Sequence, residues 1–262
     1  MNVRGYNMAF IAGIKYGINK GLKYRINTIS WFIADIALYF SVIILYLLLF
    51  TTFSNFGGYT KAEIAVYIST YFMINNIFAV LFSEAVSEYG ESILNGSFLY
   101  YELTPCGPLK SLILLNFNYP ALLSTPFLLA FNIISIAKFR PQIGFVLLYY
   151  VGICLAVSTM LFVFQLIYSM LLFGIRSQAI SSSVTQLFAI AEKPDKIFNP
   201  TFRKIFTYCI PAFIFSAVPS RIIFGNANIY EIFYLFICPI VFMTLYIIAE
   251  HIGVKVYTNS GY

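Results

Sequence analysis

PQIGFVLLYYVGICLAVSTMLFVFQLIYSMLLFGI, residues 141–175, runs between Arg140 and Arg176 without a single Asp, Glu, Lys or Arg. A helix needs about 20 apolar residues to cross the hydrocarbon core of a bilayer. At about 1.5 Å per residue, the run would measure roughly 50 Å as one helix, so it must tilt, kink or project beyond the bilayer. It predicts a membrane-spanning helix that ends near Phe173.

The composition of the whole chain also indicates that it lies in a lipid bilayer. Of its 262 residues, 60% are hydrophobic and only 10% are charged, whereas an ordinary soluble domain has about 25% charged residues. So few charges could not cover the surface of a water-soluble globule of this size. We therefore expect a single all-α integral membrane domain, residues 1–262.

Apolar segments separated by turn signals predict six transmembrane helices. We expect them at residues 30–51, 64–82, 111–137, 141–173, 177–191 and 230–249. The third would continue through Pro120 and Pro126, because neighbouring helices can satisfy the carbonyls that proline frees. The fifth is short and serine-rich, which favours a helix packed inside the protein, where small residues allow close approach.

Residues 205–224 are apolar but are interrupted by Pro211, Pro219 and Arg221. Irregular backbone at membrane depth is tolerated only where it is buried in protein or lines a cavity. We therefore expect a re-entrant hairpin, within residues 192–225, before the last helix.

The N-terminal segment, residues 5–25, predicts an amphipathic helix at the membrane interface, with a frayed cytoplasmic tail as the alternative. Its apolar positions are Phe10, Ile14, Ile18 and Leu22, while Lys20 and Lys23 point elsewhere. All the basic residues here precede the first acid, Asp35, and the positive-inside rule places such a flank in the cytoplasm. Six spans then put both termini in the cytoplasm, although basic residues between 193 and 204 would lie outside.

Motifs for catalysis and metal binding are missing from the sequence. It has no GxxxxGK[ST] phosphate loop, no HExxH and no GxSxG, and His251 is its single histidine. The spacing of Glu84, Glu88 and Glu91 would suit a cation site, but a solvated helix end is the favoured interpretation. We expect no catalytic residues, no metal and no cofactor on this chain, and no nucleic-acid partner. Candidate pathway residues are Asn75, Asn76 and Gln165.

Two segments resemble a known family. They are ESILNGSFLYYELTPCGPL, residues 91–109, and EKPDKIFNPTFRKIFTYCIPAFIFSAVPSRIIFG, residues 192–225. With the basic interfacial helix, the YRIN stretch at 24–27 and six spans, they resemble the permease subunits of ABC type-2 exporters, in a branch of about this length. That branch often has Arg before the loop proline, where this chain has Thr104.

The resemblance implies that residues 86–109 form a cytoplasmic loop that couples the permease to an ATPase. The loop would dock its acids on basic residues of the ATPase and fill an apolar cleft with its aromatic and aliphatic side chains; a loop that merely joins two spans is the alternative. The residues concerned are Glu88, Glu91, Gly96, Phe98, Leu99, Glu102, Leu103 and Pro105.

The hairpin resembles the external re-entrant element of these exporters. By that resemblance, Phe213 and Phe215 would form an apolar plug that opens when the spans separate, with Pro211, Pro219 and Arg221 shaping the hairpin around them. Simple packing of aromatic side chains is the alternative.

The function that the resemblance implies is that of a membrane-spanning permease subunit of an ATP-driven ABC exporter in the bacterial inner membrane. ATP and Mg²⁺ would bind two copies of a separate ABC ATPase subunit, and a second permease chain would complete a homodimer or heterodimer. An aromatic fraction of 19% suggests an amphipathic or apolar cargo such as a lipid, peptide or drug. The alternative is a stand-alone channel, carrier or scaffold in membrane lipid, independent of an ATPase.

Overall fold

The computed structural model describes the backbone of residues 3–259 and the side chains of residues 11–259. This part of the chain is almost entirely helical, with one antiparallel pair of two-residue strands, β1 (Asn55–Phe56) and β2 (Tyr59–Thr60). The helices are α1 (Val3–Lys23), α2 (Arg25–Thr52), α3 (Lys61–Phe78), α4 (Glu84–Leu94), α5 (Phe98–Glu102), α6 (Pro108–Leu115), α7 (Tyr119–Ala137), α8 (Ile143–Ser169), α9 (Ser177–Glu192), α10 (Pro200–Tyr208), α11 (Ala217–Phe224) and α12 (Ile229–Asn259).

Five helical stretches within the described residues are long and apolar enough to cross a membrane. They are Arg25–Thr52, Lys61–Leu94, Tyr119–Ala137, Ile143–Phe173 and Ile229–Asn259. The predicted all-α, multi-pass membrane architecture is therefore confirmed at this level. Helix α9, with 16 residues, is shorter than the roughly 20 that a span usually needs, so the sixth span stays a prediction.

The second long stretch is a continuous helix that passes from α3 through a π-helical turn, Ala79–Ser83, into α4. The predicted span, residues 64–82, is thus too short, and the predicted loop 86–109 begins as helix. Residues 83–94 contain no proline, and α4 buries an apolar face that includes Ala85, Tyr89 and Ile93. Tertiary burial of this face extends the helix beyond the apolar run.

The prediction of a single third span, residues 111–137, is wrong. The backbone is extended at Asn116 and Asn118, which separates α6 from α7. The side chain of Asn118 accepts a hydrogen bond from the Ala121 N–H at 3.1 Å and so caps α7. Pro120 therefore stands in the first turn, where its missing N–H costs nothing, and Pro126 alone lies inside the helix.

The long helices run between two ends of the molecule. We call one the hairpin end, where β1, β2 and residues 192–228 meet: the Tyr59 hydroxyl donates to Asp195 Oδ1 at 2.5 Å. We call the other the loop end, where residues 95–118 lie: the Tyr257 hydroxyl donates to the Ile93 carbonyl at 3.1 Å.

Helix α9 connects these same two ends. Near its start, Ile180 joins the apolar cluster of the loop end with Leu171 and Leu172. At its other end, the Ala191 carbonyl accepts a hydrogen bond from the Tyr67 hydroxyl at 2.9 Å. Sixteen residues measure about 24 Å as a helix, slightly less than a hydrocarbon core of about 30 Å.

Polar side chains join α3 to its neighbours inside the helical body. Asn132 of α7 donates to the Tyr149 hydroxyl of α8 at 2.6 Å, and that hydroxyl lies 2.9 Å from Thr70 Oγ1 of α3. Between helices in a membrane, such bonds fix the register because apolar packing alone is less specific.

Candidate functional site

The segment between α4 and α6, residues 95–107, is the sharpest interruption of the helical body at the loop end. Asn95 accepts a hydrogen bond from the Ser97 N–H at 3.0 Å, and Gly96 has a φ of +81°. A side chain at Gly96 would find open space, so the glycine is required by the backbone conformation and not by packing. Together they turn the chain sharply between α4 and α5.

Thr104 occupies the place where Arg is common in the family that the sequence resembles. Its hydroxyl lies 2.7 Å from Ser111 Oγ and donates to the Tyr101 carbonyl at 2.6 Å. Thr104 thus fastens α5 to the start of α6 within this chain.

Most of the predicted coupling residues lie on the surface of this segment. Leu103 has 86% of its surface exposed, and Leu99 and Glu88 are partly exposed. The exposed members also include Glu91, Gly96, Glu102 and Pro105. The acids and the exposed Leu103 therefore share the loop end, and Tyr100, which was not predicted, adds a 73% exposed ring.

Phe98 differs from the other predicted coupling residues because it is fully buried in this chain. Its ring centroid lies 5.5 Å from that of Tyr89 and 5.9 Å from that of Tyr257, both in edge-on arrangements. Its predicted contact with a partner is corrected: the side chain packs between α4 and α12. The exposed Leu103 and Tyr100 remain available for such a contact.

A partly buried carboxylate lies behind the segment. Glu250 of α12 accepts hydrogen bonds from the Tyr246 hydroxyl and from the Tyr89 hydroxyl, the latter at 3.2 Å. Tyr257 of the same helix bonds the carbonyl of Ile93. Helix α4 is thus attached to the last long helix by two polar contacts, and residues 95–107 join them through the ring contacts of Phe98 with Tyr89 and Tyr257. Glu250 was not among the predicted site residues, although an ionisable group near the end of a span is itself a signal.

An ion network holds the hairpin end together. Arg221 of α11 bonds both Asp195 and Glu231, and Asp195 also accepts the hydrogen bond of Tyr59. Burial alone would lower the pKa of Arg221, but the two carboxylates raise it above its usual value, so the guanidinium stays charged. The network joins four separate segments and fixes the hairpin on the helical body.

The predicted gate residues are buried at the hairpin end, close to this ion network. Phe213 and Phe215 are buried within the chain, against Phe198 and Phe164 respectively, and Pro211 and Pro219 are buried beside them. Residues 212–215 form a single 3₁₀ turn between α10 and α11. In this arrangement the two rings act as packing, and their role as a moving plug stays a prediction.

A groove follows α9 along one side of α3 and α4. Near the hairpin end a cavity of about 260 Å³ is lined by Asn75, Phe188 and Glu192 among others, and one of about 420 Å³ near the loop end by Glu91 and Ser181. The opposite face of α9 is polar and exposed, with Ser182, Thr185 and Gln186. Of the three predicted pathway residues, Asn75 is the one on the groove.

Residues 36–261 match the family described as ABC-2 family transporter protein. The chain belongs to this family. The match begins within α2 and covers the remaining long helices, the loop-end segment and the hairpin. No curated protein and no solved structure matches the chain.

The other two predicted pathway residues of this ABC-2 permease lie away from the groove. Asn76 is buried and donates to the Ala121 carbonyl and to Ser124 Oγ, so it joins α3 to α7. Gln165 is fully buried in α8, and within residues 11–259 its side-chain amide finds no hydrogen-bond partner of good geometry. Among the same residues, no group of three or more His, Cys, Asp or Glu side chains is placed to hold a metal ion.

Proposed function

We propose that this ABC-2 permease is the membrane-spanning subunit of an ATP-driven exporter, and that residues 95–107 receive force from a separate ATPase. The observation that carries the proposal is the anchoring of this segment by Phe98, whose ring packs against Tyr89 of α4 and Tyr257 of α12. Helix α4 is in turn bonded to α12, through Tyr89 with Glu250 and through the Ile93 carbonyl with Tyr257. A surface segment that is fastened to long helices transmits displacement, whereas a loose linker would absorb it.

The surface of the segment suits a basic partner with an apolar cleft. Glu91 and Glu102 are exposed, and neither belongs to an ion pair within the described residues. The side chains of Leu103 and Tyr100 project beside them. ATP and Mg²⁺ belong to the partner in this proposal, with two ATPase copies per transporter.

The loop end is proposed to face the cytoplasm of a bacterial cell, with both termini on that side of the inner membrane. Support comes from the basic flank formed by Lys15, Lys20, Lys23 and Arg25, which the positive-inside rule places in the cytoplasm. The hairpin end, residues 192–225, then lies outside as a re-entrant element.

Helix α9 is proposed as the sixth span and as part of the pathway. Its exposed glutamine side chains, Gln178 and Gln186, are costly against lipid, because nothing in hydrocarbon can hydrogen-bond their amides. The serine and threonine hydroxyls donate to carbonyls of α9 itself. A second permease chain, identical or related, would cover this face and enclose the groove beside Asn75. An amphipathic or apolar cargo suits a groove that is also lined by Tyr71, Phe72 and Phe188.

The test of the coupling role compares two glycine substitutions. Gly96→Ala forces a side chain into a positive φ, at a cost of about 1–2 kcal/mol, while Gly144→Ala meets neither strain nor contact. Each variant is purified from native membranes in mild detergent. We expect a co-purifying ATPase with vanadate-sensitive hydrolysis for the parent and for Gly144→Ala, and loss of stimulation by the permease for Gly96→Ala.

Two results would overturn the proposal. One is failure to recover any ATPase with the parent chain, which would favour a stand-alone channel, carrier or scaffold. The other is equal ATPase stimulation by both glycine variants, which would show that residues 95–107 merely join two spans.

A further inference from the structure

A cavity of about 360 Å³ lies at the loop end, where α1, α2 and the break between α6 and α7 meet. It exists because α1 and α2 are separate helices that meet at a kink at Tyr24, where the Thr28 hydroxyl donates to the Gly21 carbonyl at 2.8 Å. The extended residues 116–118 form the opposite wall. Its volume is within the range of about 300–1,000 Å³ that small-ligand sites occupy.

Charged side chains of both signs line this cavity. The carboxylates of Asp35 and Glu84 and the ammonium of Lys20 all contribute. Within the described residues the ion pairs are those of Arg221 at the hairpin end, so none of these three groups is paired. Glu84 is held by Asn118, which donates to it at 3.3 Å.

Asp35 is the most unusual of the three because it lies within the first long helix. Apart from Arg25 at its start, Arg25–Thr52 contains no other charged residue. An ionisable side chain in a membrane-spanning helix is costly and marks a binding or transport site by default. The carboxylate is half-buried and lines the cavity.

Aromatic rings complete the lining. Tyr24, Trp31, Phe117 and Tyr119 all contribute to it. Aromatic faces attract ammonium groups through their quadrupole, and carboxylates attract them by charge. A lining of rings, two carboxylates and one lysine suits a ligand with an ammonium group beside an anionic group.

The border of the cavity suits a ligand that comes from the membrane and not from the aqueous phase. Along α2, Ile29, Trp31 and Ile33 have 52%, 58% and 59% of their surface exposed, which places lipid chains beside the cavity mouth. Trp and Tyr are enriched at the depth of lipid headgroups. A soluble amine would gain nothing from this apolar border.

We propose that this cavity binds the headgroup of a phospholipid that carries an ammonium group, with Asp35 and Glu84 on the ammonium and Lys20 on the phosphate. The proposal does not depend on an ATPase partner or on export. It concerns a site for lipid on the permease chain itself.

The chain carries its own reporter, because Trp31 is its single tryptophan and lines the cavity. The full-length protein in maltoside detergent is titrated with dihexanoylphosphatidylethanolamine, and Trp31 emission is recorded. Dihexanoylphosphatidylglycerol is the matched probe, with the same chains and phosphate but no ammonium. We expect a saturable change in emission with the first probe and none with the second.

Three variants localise the effect. Asp35→Asn and Glu84→Gln should each raise the half-saturating concentration about tenfold, as expected for loss of a charge-assisted contact. Glu63→Gln should leave it unchanged, because Glu63 belongs to the capping box of α3 at the other end and Gln serves there equally well.

Three outcomes would overturn the proposal: equal responses to the two lipids, no saturable response to either, or unchanged titrations for both acidic-site variants. If Asp35→Asn fails to fold, the surface-exposed Glu84→Gln decides alone.

Discussion

At the scale of single residues, Arg221 and Asp195 illustrate how a buried ion pair stabilises the fold. Asp195 is fully buried, and its two oxygens are used by different partners, Tyr59 on one side and Arg221 on the other. Removing one member of such a pair leaves an uncompensated charge in a poorly solvated place. The loss of stability is larger when the group that is replaced is more deeply buried.

We therefore predict that Asp195→Asn lowers the free energy of unfolding by about 3–5 kcal/mol, the usual cost of breaking a buried ion pair. Glu231→Gln should cost less, because the Glu231 side chain is 14% exposed and that of Asp195 is not exposed at all. Unfolding in detergent, followed by circular dichroism, measures the difference. Lys204→Gln, an exposed change on α10, is the control, and an equal loss in all three variants would contradict the argument.

At the scale of elements, the sequence located the long helices but not their interruptions. Periodicity and charge-free runs identify apolar segments, and each predicted long span overlaps a helix of the structure. The break at residues 116–118 depends on two asparagine side chains that cap helix ends, and the extension to Leu94 depends on burial against distant helices. Neither effect is visible in hydropathy.

The candidate sites also have some features that the sequence predicts and others that depend on long-range contacts. Exposure of the acids at 88–102 follows from their charge, so it was predictable. The burial of Phe98 and the contact of Tyr59 with Asp195 join residues far apart in sequence. One sequence without long-range pairing information cannot give such contacts.

Helix α1 shows how small residues position an element. The sequence predicted an apolar face that includes Phe10, whose side chain lies outside the described residues, and Leu22, which is 58% exposed. The inward face is instead formed by Gly13, Gly17 and Gly21. A Cβ at Gly13 would lie 1.8 Å from the Leu114 carbonyl oxygen, so only glycine allows this approach.

Gly17→Ala should therefore push α1 away from residues 114–119, because the added Cβ would lie 2.6 Å from the Phe117 carbonyl oxygen. We expect faster proteolytic cleavage within residues 11–24 and a lower unfolding temperature. Asn19→Ala, on the exposed side of the same helix, is the matched control. Equal cleavage rates for the two variants would show that the glycine face does not hold α1 in place.

At the scale of the whole molecule, α9 decides the topology. Five candidate spans alone would place the loop end and the final residues of α12 on opposite sides of the membrane. The contacts of Tyr257 with Ile93 and Phe98 place them together, which requires an even number of crossings. Helix α9 joins the two ends, and under the proposal that it is a span it supplies the additional crossing, as a helix slightly shorter than the bilayer core.

A crossing by α9 predicts that two exposed positions at opposite ends of the molecule lie on opposite sides of the membrane. Asn199→Cys and Glu102→Cys are introduced singly into a variant in which Cys106, Cys154, Cys209 and Cys238 are replaced by Ala. With a membrane-impermeant maleimide, Asn199→Cys should react in intact cells and Glu102→Cys only after permeabilisation. Reaction of both from the same side would remove α9 as a span, and the reverse pattern would invert the orientation that the basic flank of α1 and α2 indicates.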